Sequence, residues 1–159
     1  MKITIIAVGK VKEKFYRDAL AEYGKRLGKY CRLEVVEVED EKTPDKAGEA
    51  LELQIKEKEA QRILKYVKED AYLITLEIEG RKMDSVSFAK KLEKLATYGT
   101  SHIQFVIGGS LGLHDMVSAR ADEQISFSDM TFPHQLMRIL LEEQIYRGYR
   151  IICGEPYHK

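Results

Sequence analysis

The sequence predicts an α/β fold, a parallel sheet flanked by helices, on three observations. Apolar runs of strand length recur along the chain, stretches of helical periodicity separate them, and three of the runs leave through loops rich in glycine or small polar residues. With 159 residues and 44% hydrophobic content, the chain can bury a continuous core as one domain over residues 1–159, without disulfides or a metal.

Strands are expected at residues 3–8, 33–38, 72–76, 103–107 and 124–127. In the first helix Tyr16, Leu20, Tyr23, Leu27 and Tyr30 alternate spacings of four and three, so one aromatic and aliphatic stripe lies along one face and reads as core packing. The second helix is expected to open near Pro44, whose fixed φ suits a first turn, and to run through Leu51, Ile55, Ile63, Leu64 and Val67. A third follows Asp84 or Ser85 as N-cap, carries Phe88, Leu92 and Leu95, and stops before Gly99. The last opens near Pro133 and is apolar over a wide arc, with Leu136 and Leu140 in one row and Met137, Leu141 and Ile145 in another. An arc that broad on a small domain points to a homodimer, one row facing the core and the other a second copy.

The 26 basic and 26 acidic residues cancel in total but not locally. Residues 1–35 hold nine Lys or Arg against four acids, whereas residues 36–70 hold eleven acids against seven bases. Because a phosphate backbone meets local rather than total charge, Lys10, Lys12, Lys14 and Arg17 are candidate RNA contacts, although an ordinary solvated helix is the commoner source of such a segment. No apolar run approaches the ~20 residues of a membrane span, and the opening KITIIAV reads as a strand rather than a signal peptide. A cytoplasmic protein with no membrane partner is expected. Cys31 and Cys153 have no CxxC spacing, so buried reduced thiols are expected and a metal site is not.

In parallel sheets the strand carboxyl ends converge on one edge, where loops and helix N-termini supply free backbone donors to ligands. Gly108 and Gly109 directly follow the fourth strand, where a missing Cβ allows a planar ligand to approach the backbone. With Gly112 they fall short of GxGxxG, because Ile107 occupies the first glycine position, and no GxxxxGK[ST] is present. Dinucleotide oxidoreductases and P-loop nucleotidases are therefore disfavoured. The fifth strand leaves through SFSDMTFP, residues 126–133, which admits two readings. Asp129 or Thr131 caps the last helix over Phe127 and Phe132, which the residues alone favour; or the loop walls an adenosine pocket, suitably free of Lys and Arg beside a positively charged sulfonium. The terminal GEPYHK places Tyr157 and His158 after a tight turn and reads first as an exposed tail.

Taken together, LITLEIEGR, FVIGGSLGL, ISFSDMTFPHQLMRILLEEQIYRGYRII and the final PYHK resemble the RlmH/YbeA family of SPOUT methyltransferases, and the resemblance covers essentially the full length. It implies a C-terminal trefoil knot, which general topology rules would not have suggested. It also implies S-adenosyl-L-methionine bound by Leu76, Gly108, Phe127, Ser128, Asp129, Met130, Thr131 and Phe132. The implied product is an N3-methylated pseudouridine in 23S rRNA, made by a homodimer on the assembled ribosome. The tail ends in Lys159 where many relatives carry Arg, replacing a planar fork by a point charge. Methyl transfer to an imide nitrogen requires its proton to leave, so His158 is the candidate proton acceptor and Tyr157 a candidate to hold the unpaired base. A ribosome-associated binding module would share the basic segment and tail but would not need a cation-free aromatic pocket.

Overall fold

The computed structural model describes residues 1–159. Five strands and five helices follow in the order β1 (Lys2–Val8), α1 (Lys14–Leu27), β2 (Arg32–Val38), α2 (Glu49–Leu64), β3 (Tyr72–Lys82), α3 (Ser85–Thr97), β4 (His102–Ile107), α4 (Asp115–Arg120), β5 (Glu123–Ser126) and α5 (His134–Ile152). All strand pairs are parallel, and the sheet order is β2-β1-β4-β3-β5. No helix is long and apolar enough to cross a membrane.

Side-chain alternation along the strands divides the core into two layers. Ile3, Ile5, Ala7, Ile74, Phe105 and Ile125 face Leu27 of α1, Phe88 and Leu92 of α3, and Leu141 and Ile145 of α5. Ile6, Val8, Leu73 and Val106 face Ala60 and Ile63 of α2 and Val117 of α4. Helix α5 packs against both α1 and α3, and Gly148 permits that approach: a Cβ there would stand 3.1 Å from Leu92 Cδ1. Buried Gln104 on β4 accepts from Lys68 N–H and donates to the Tyr66 carbonyl, both at 2.8 Å, and so fastens the turn after α2 to the sheet.

Several expected boundaries differ. The second helix starts at Glu49, not near Pro44, because the Pro44 carbonyl closes a separate turn with Ala47 N–H and an extended Gly48 precedes the helix. Glu49 and Glu52 then meet the positive end of its dipole. Val67 lies beyond that helix, and Tyr30 beyond α1, stacked on Tyr149 of α5. Asp84 caps α3, accepting from Ser87 N–H at 2.7 Å, whereas no side chain caps α5, so Asp129 and Thr131 do not play that part. Six-residue α4 is too short to show periodicity. Cys153 is exposed and Cys31 half-buried, contrary to the expectation of two buried thiols.

Strand β3 runs on to Lys82 because Ile125 is registered first with Leu76 and again with Arg81, with residues 77–80 detouring between. A Cβ on Gly80 would fall 2.6–2.8 Å from the Ile125 backbone, so glycine is the residue that lets the detour close on β5.

Candidate functional site

The carboxyl ends of β3, β4 and β5 open on one cleft of about 630 Å³. Leu76, Glu77 and Ile78 come from β3, residues 107–112 from the β4 end, Ser126 and the loop residues 127, 128 and 130–133 from the β5 end, and His134, Gln135 and Met137 from α5. The sheet order explains this convergence: β3 lies between β4 and β5, so three segments far apart in sequence end side by side. None of the lining residues is Lys or Arg.

The glycine loop is compact. A Cβ on Gly108 would stand 3.0 Å from both the Gly112 carbonyl carbon and Leu113 Cδ2, while Gly112 has φ +83°. Beneath Gly109, a Cβ would be 3.2 Å from Glu59 Oε1 and Val8 Cγ1. Glu59 of α2 is buried and accepts from Glu41 N–H at 3.0 Å, and desolvation raises its pKa. Glu77 is held by Thr75 Oγ1 at 2.6 Å and Ser118 Oγ at 2.7 Å, which places one oriented carboxylate on the cleft wall. In the fifth-strand loop Ser126 Oγ donates to the Ser128 carbonyl, and Met130 N–H donates to Ser128 Oγ. Phe127 anchors that loop edge-on against Phe88.

Of the residues singled out from sequence, Leu76, Gly108, Phe127, Ser128, Met130, Thr131 and Phe132 line this cleft. Asp129 does not: it points outward and pairs with Lys82 at 2.5 Å. Glu77, Ser110, His134 and Gln135 line it without having been singled out. Nothing in their local sequence distinguishes them, since each reaches the cleft only through the sheet order.

His134 and Gln135 also line a second cleft, of about 630 Å³, between the ends of β1 and β2. Its walls include Lys10 and Lys12, and Val38 is their only hydrophobic residue. Lys14 instead pairs with Asp18 at 2.7 Å on the exposed face of α1, which also carries Arg17. The five basic candidates thus do not converge, and Lys159 lies at the exposed chain end.

The tail is not frayed. Glu155 accepts from Tyr30 Oη at 2.8 Å and pairs with Arg150, and Tyr157 Oη donates to Glu143 at 3.1 Å. The Tyr157 ring lies edge-on to Tyr146 and under the Arg147 guanidinium, so within one chain it is already enclosed by neighbours. His158 contacts Arg147 at 3.2 Å through Nδ1 and opens on a third, more apolar groove with Val86 and Leu140. Phe127, Ser128 and Phe132 border that groove and the first cleft alike, so the fifth-strand loop separates His158 from the cleft.

A family model described as "Predicted SPOUT methyltransferase" matches residues 1–158. The chain is 61% identical, over the full length of both, to a Bifidobacterium adolescentis protein named ribosomal RNA large subunit methyltransferase H. It is 55% identical, again over both full lengths, to the Clostridium beijerinckii protein of that name. A solved structure from Haemophilus influenzae, described as a probable methylase family protein, superposes with a TM-score of 0.56 at 12% identity over 99% of this chain and 70% of its own; that likeness concerns the fold. On the full-length family match and these identities, the chain belongs to the SPOUT methyltransferase family.

Proposed function

We propose that this chain transfers a methyl group from S-adenosyl-L-methionine to N3 of a pseudouridine in 23S rRNA, acting as a cytoplasmic homodimer on the assembled ribosome. The observation that carries the reading is the cation-free cleft at three converging strand ends, in a chain whose full-length relatives are named for large-subunit rRNA methylation.

The residues present fit the donor. Leu76, Ile107, Phe132 and Met137 offer apolar walls to an adenine, and the glycine loop offers backbone amides and carbonyls to its edge. A sulfonium, which supplies an electrophilic methyl when bound, meets no lysine or arginine here and shares the cleft with the oriented Glu77 carboxylate. Leu76, Gly108 and the lining residues of 127–132 would hold the donor, with Asp129 fastening the loop to Lys82 from outside. The reading includes one domain over 1–159 and a knotted C-terminal part, supported by the family match.

In a homodimer the apolar groove beside His158 has a natural occupant in a second copy, which would carry one chain's tail toward its partner's cleft. Tyr157, His158 and Lys159 then contact RNA near the acceptor, and Lys10, Lys12, Lys14 and Arg17 meet phosphates. Calorimetry with S-adenosylmethionine, paired with mass spectrometry of rRNA from ribosomes lacking the modification, tests the reading. Donor binding together with one added methyl on the pseudouridine is expected. Absence of donor binding, or a methyl on another nucleotide, would overturn the respective part.

A further inference from the structure

His134 and Gln135 line both the donor cleft and the polar cleft. Of these two, only the imidazole can take up and release a proton near neutral pH. We propose that the polar cleft between β1 and β2 seats the acceptor nucleotide, and that His134 takes the imide proton from its N3. This rests on the methyltransferase reading above.

The two clefts differ in the way their proposed occupants differ. The first has no lysine or arginine; the second sets Lys10 and Lys12 among four carboxylates, Glu13, Glu37, Glu39 and Asp40, of which Glu37 is paired with Arg138. A nucleotide presents an anionic phosphate to the lysines, while its ribose hydroxyls and imide N–H suit carboxylate and imidazole acceptors. The volume of about 630 Å³ is ample for one nucleotide.

The position of His134 is built. Gly9 directly follows β1 with φ +91°, donates its N–H to the Val38 carbonyl at 2.8 Å, and leaves room for the ring: a Cβ there would be 3.1 Å from His134 Nε2. His134 is also the first residue of α5, where the helix dipole opposes a positive ring. The charged groups around it come from three elements. Lys10, Lys12 and Glu13 follow β1; Glu37, Glu39 and Asp40 lie at the end of β2; and Arg138 is one turn along α5. Arg138 is buried and donates to Glu37 at 2.7 Å, so that carboxylate is already engaged. Desolvation, reinforced by Arg138 against the pull of Asp40 and Glu13, holds the imidazole below its ordinary 6.5 and therefore neutral at neutral pH.

The proton step balances within these groups. The N3–H bond breaks, its electron pair stays on N3, and the imidazole lone pair forms the new N–H bond. The resulting imidazolium then returns the proton to water through the polar cleft. Within its own chain His158 lies on the far side of the fifth-strand loop, with Nδ1 against Arg147.

The test measures methylation of unmodified ribosomes across pH for wild type, His134→Gln and His158→Gln, with S-adenosylmethionine affinity by calorimetry and imidazole NMR during titration with pseudouridine 5′-monophosphate. Wild-type kcat/KM should fall on the acid side with an apparent pKa below 6.5. His134→Gln should lower kcat by roughly 10²-fold or more and abolish that acid limb. Its donor affinity should stay within about twofold, while His158→Gln keeps the limb. The nucleotide should shift the His134 resonance in wild type. A His134→Gln enzyme with wild-type kcat and an intact acid limb, or a His134 resonance that the nucleotide leaves unmoved, overturns the proposal. Wild-type protein that neither binds the donor nor methylates ribosomes would instead bring down the methyltransferase reading, and this inference with it.

Discussion

Two glycines and one buried acid show how single side chains govern this molecule. At Gly80 a methyl group would have to share space with the Ile125 backbone at 2.6–2.8 Å, and main chain inside a sheet cannot step aside. Gly80→Ala should cost about 3 kcal/mol or more in a urea titration. At Gly108 the crowding at 3.0 Å is milder and includes a movable leucine tip, so Gly108→Ala should fold. It should lower S-adenosylmethionine affinity about tenfold, read by calorimetry, because the 108–112 loop must shift to admit the methyl. Glu142 is almost fully buried with Oε2 unpartnered, and desolvation lifts its pKa from 4.5 to about 7 despite the nearby Arg138. Because the folded value lies above the unfolded one, its contribution is fully present below pH 4.5 and is lost as pH rises through about 7. The loss is on the order of 3 kcal/mol. Glu142→Gln should remove that pH dependence and be more stable than wild type above pH 7, measured by denaturant titration at several pH values.

The elements hold position through a few buried polar joints as well as through apolar packing. Gln104 reaches from β4 to the turn after α2 and satisfies one N–H and one carbonyl there. Gln104→Leu should leave both unpaired and destabilise the fold by roughly 2–3 kcal/mol, with hydrogen exchange rising first around Tyr66 and Lys68. Helix α5 has the broadest task. Leu141 and Ile145 face the sheet, Gly148 admits α3, Tyr146 and Tyr149 meet Tyr30 just past α1, and Glu143 and Arg147 hold the tail. The wide apolar arc read from its sequence is therefore spent on three internal contacts. Leu140 remains on the groove proposed for a second copy.

For the molecule as a whole, the zero formal charge makes local placement decisive for RNA binding. Neutralising Lys10, Lys12 and Lys14 together should weaken ribosome binding and flatten its salt dependence by about one unit of slope for each phosphate that no longer meets a cation. Lys10 and Lys12, which line the polar cleft, should account for most of the change, and Lys14, already paired with Asp18, for little. The proposed homodimer should show twice the single-chain mass in light scattering, and Leu140→Asp should halve it.

Local pattern was enough for much of this protein. The alternating strand and helix periods, the Asp84 cap and the glycine loop are properties of windows a few residues wide, and they determined the α/β class and the three strand ends where a ligand would bind. The same locality explains the misses. Pro44 has a helix-compatible φ, but a separate turn used it; α4 is shorter than two turns; and Tyr157 resembles a free aromatic until Tyr146, Arg147 and Glu143 enclose it. What only the tertiary structure decided is which distant residues meet. The order β2-β1-β4-β3-β5 brings Glu77, Gly108 and Phe132 to one cleft, turns Asp129 away from it, and sets His134 against Gly9 between two clefts. Strand order follows from how whole faces bury against one another, and no short stretch of sequence carries that information.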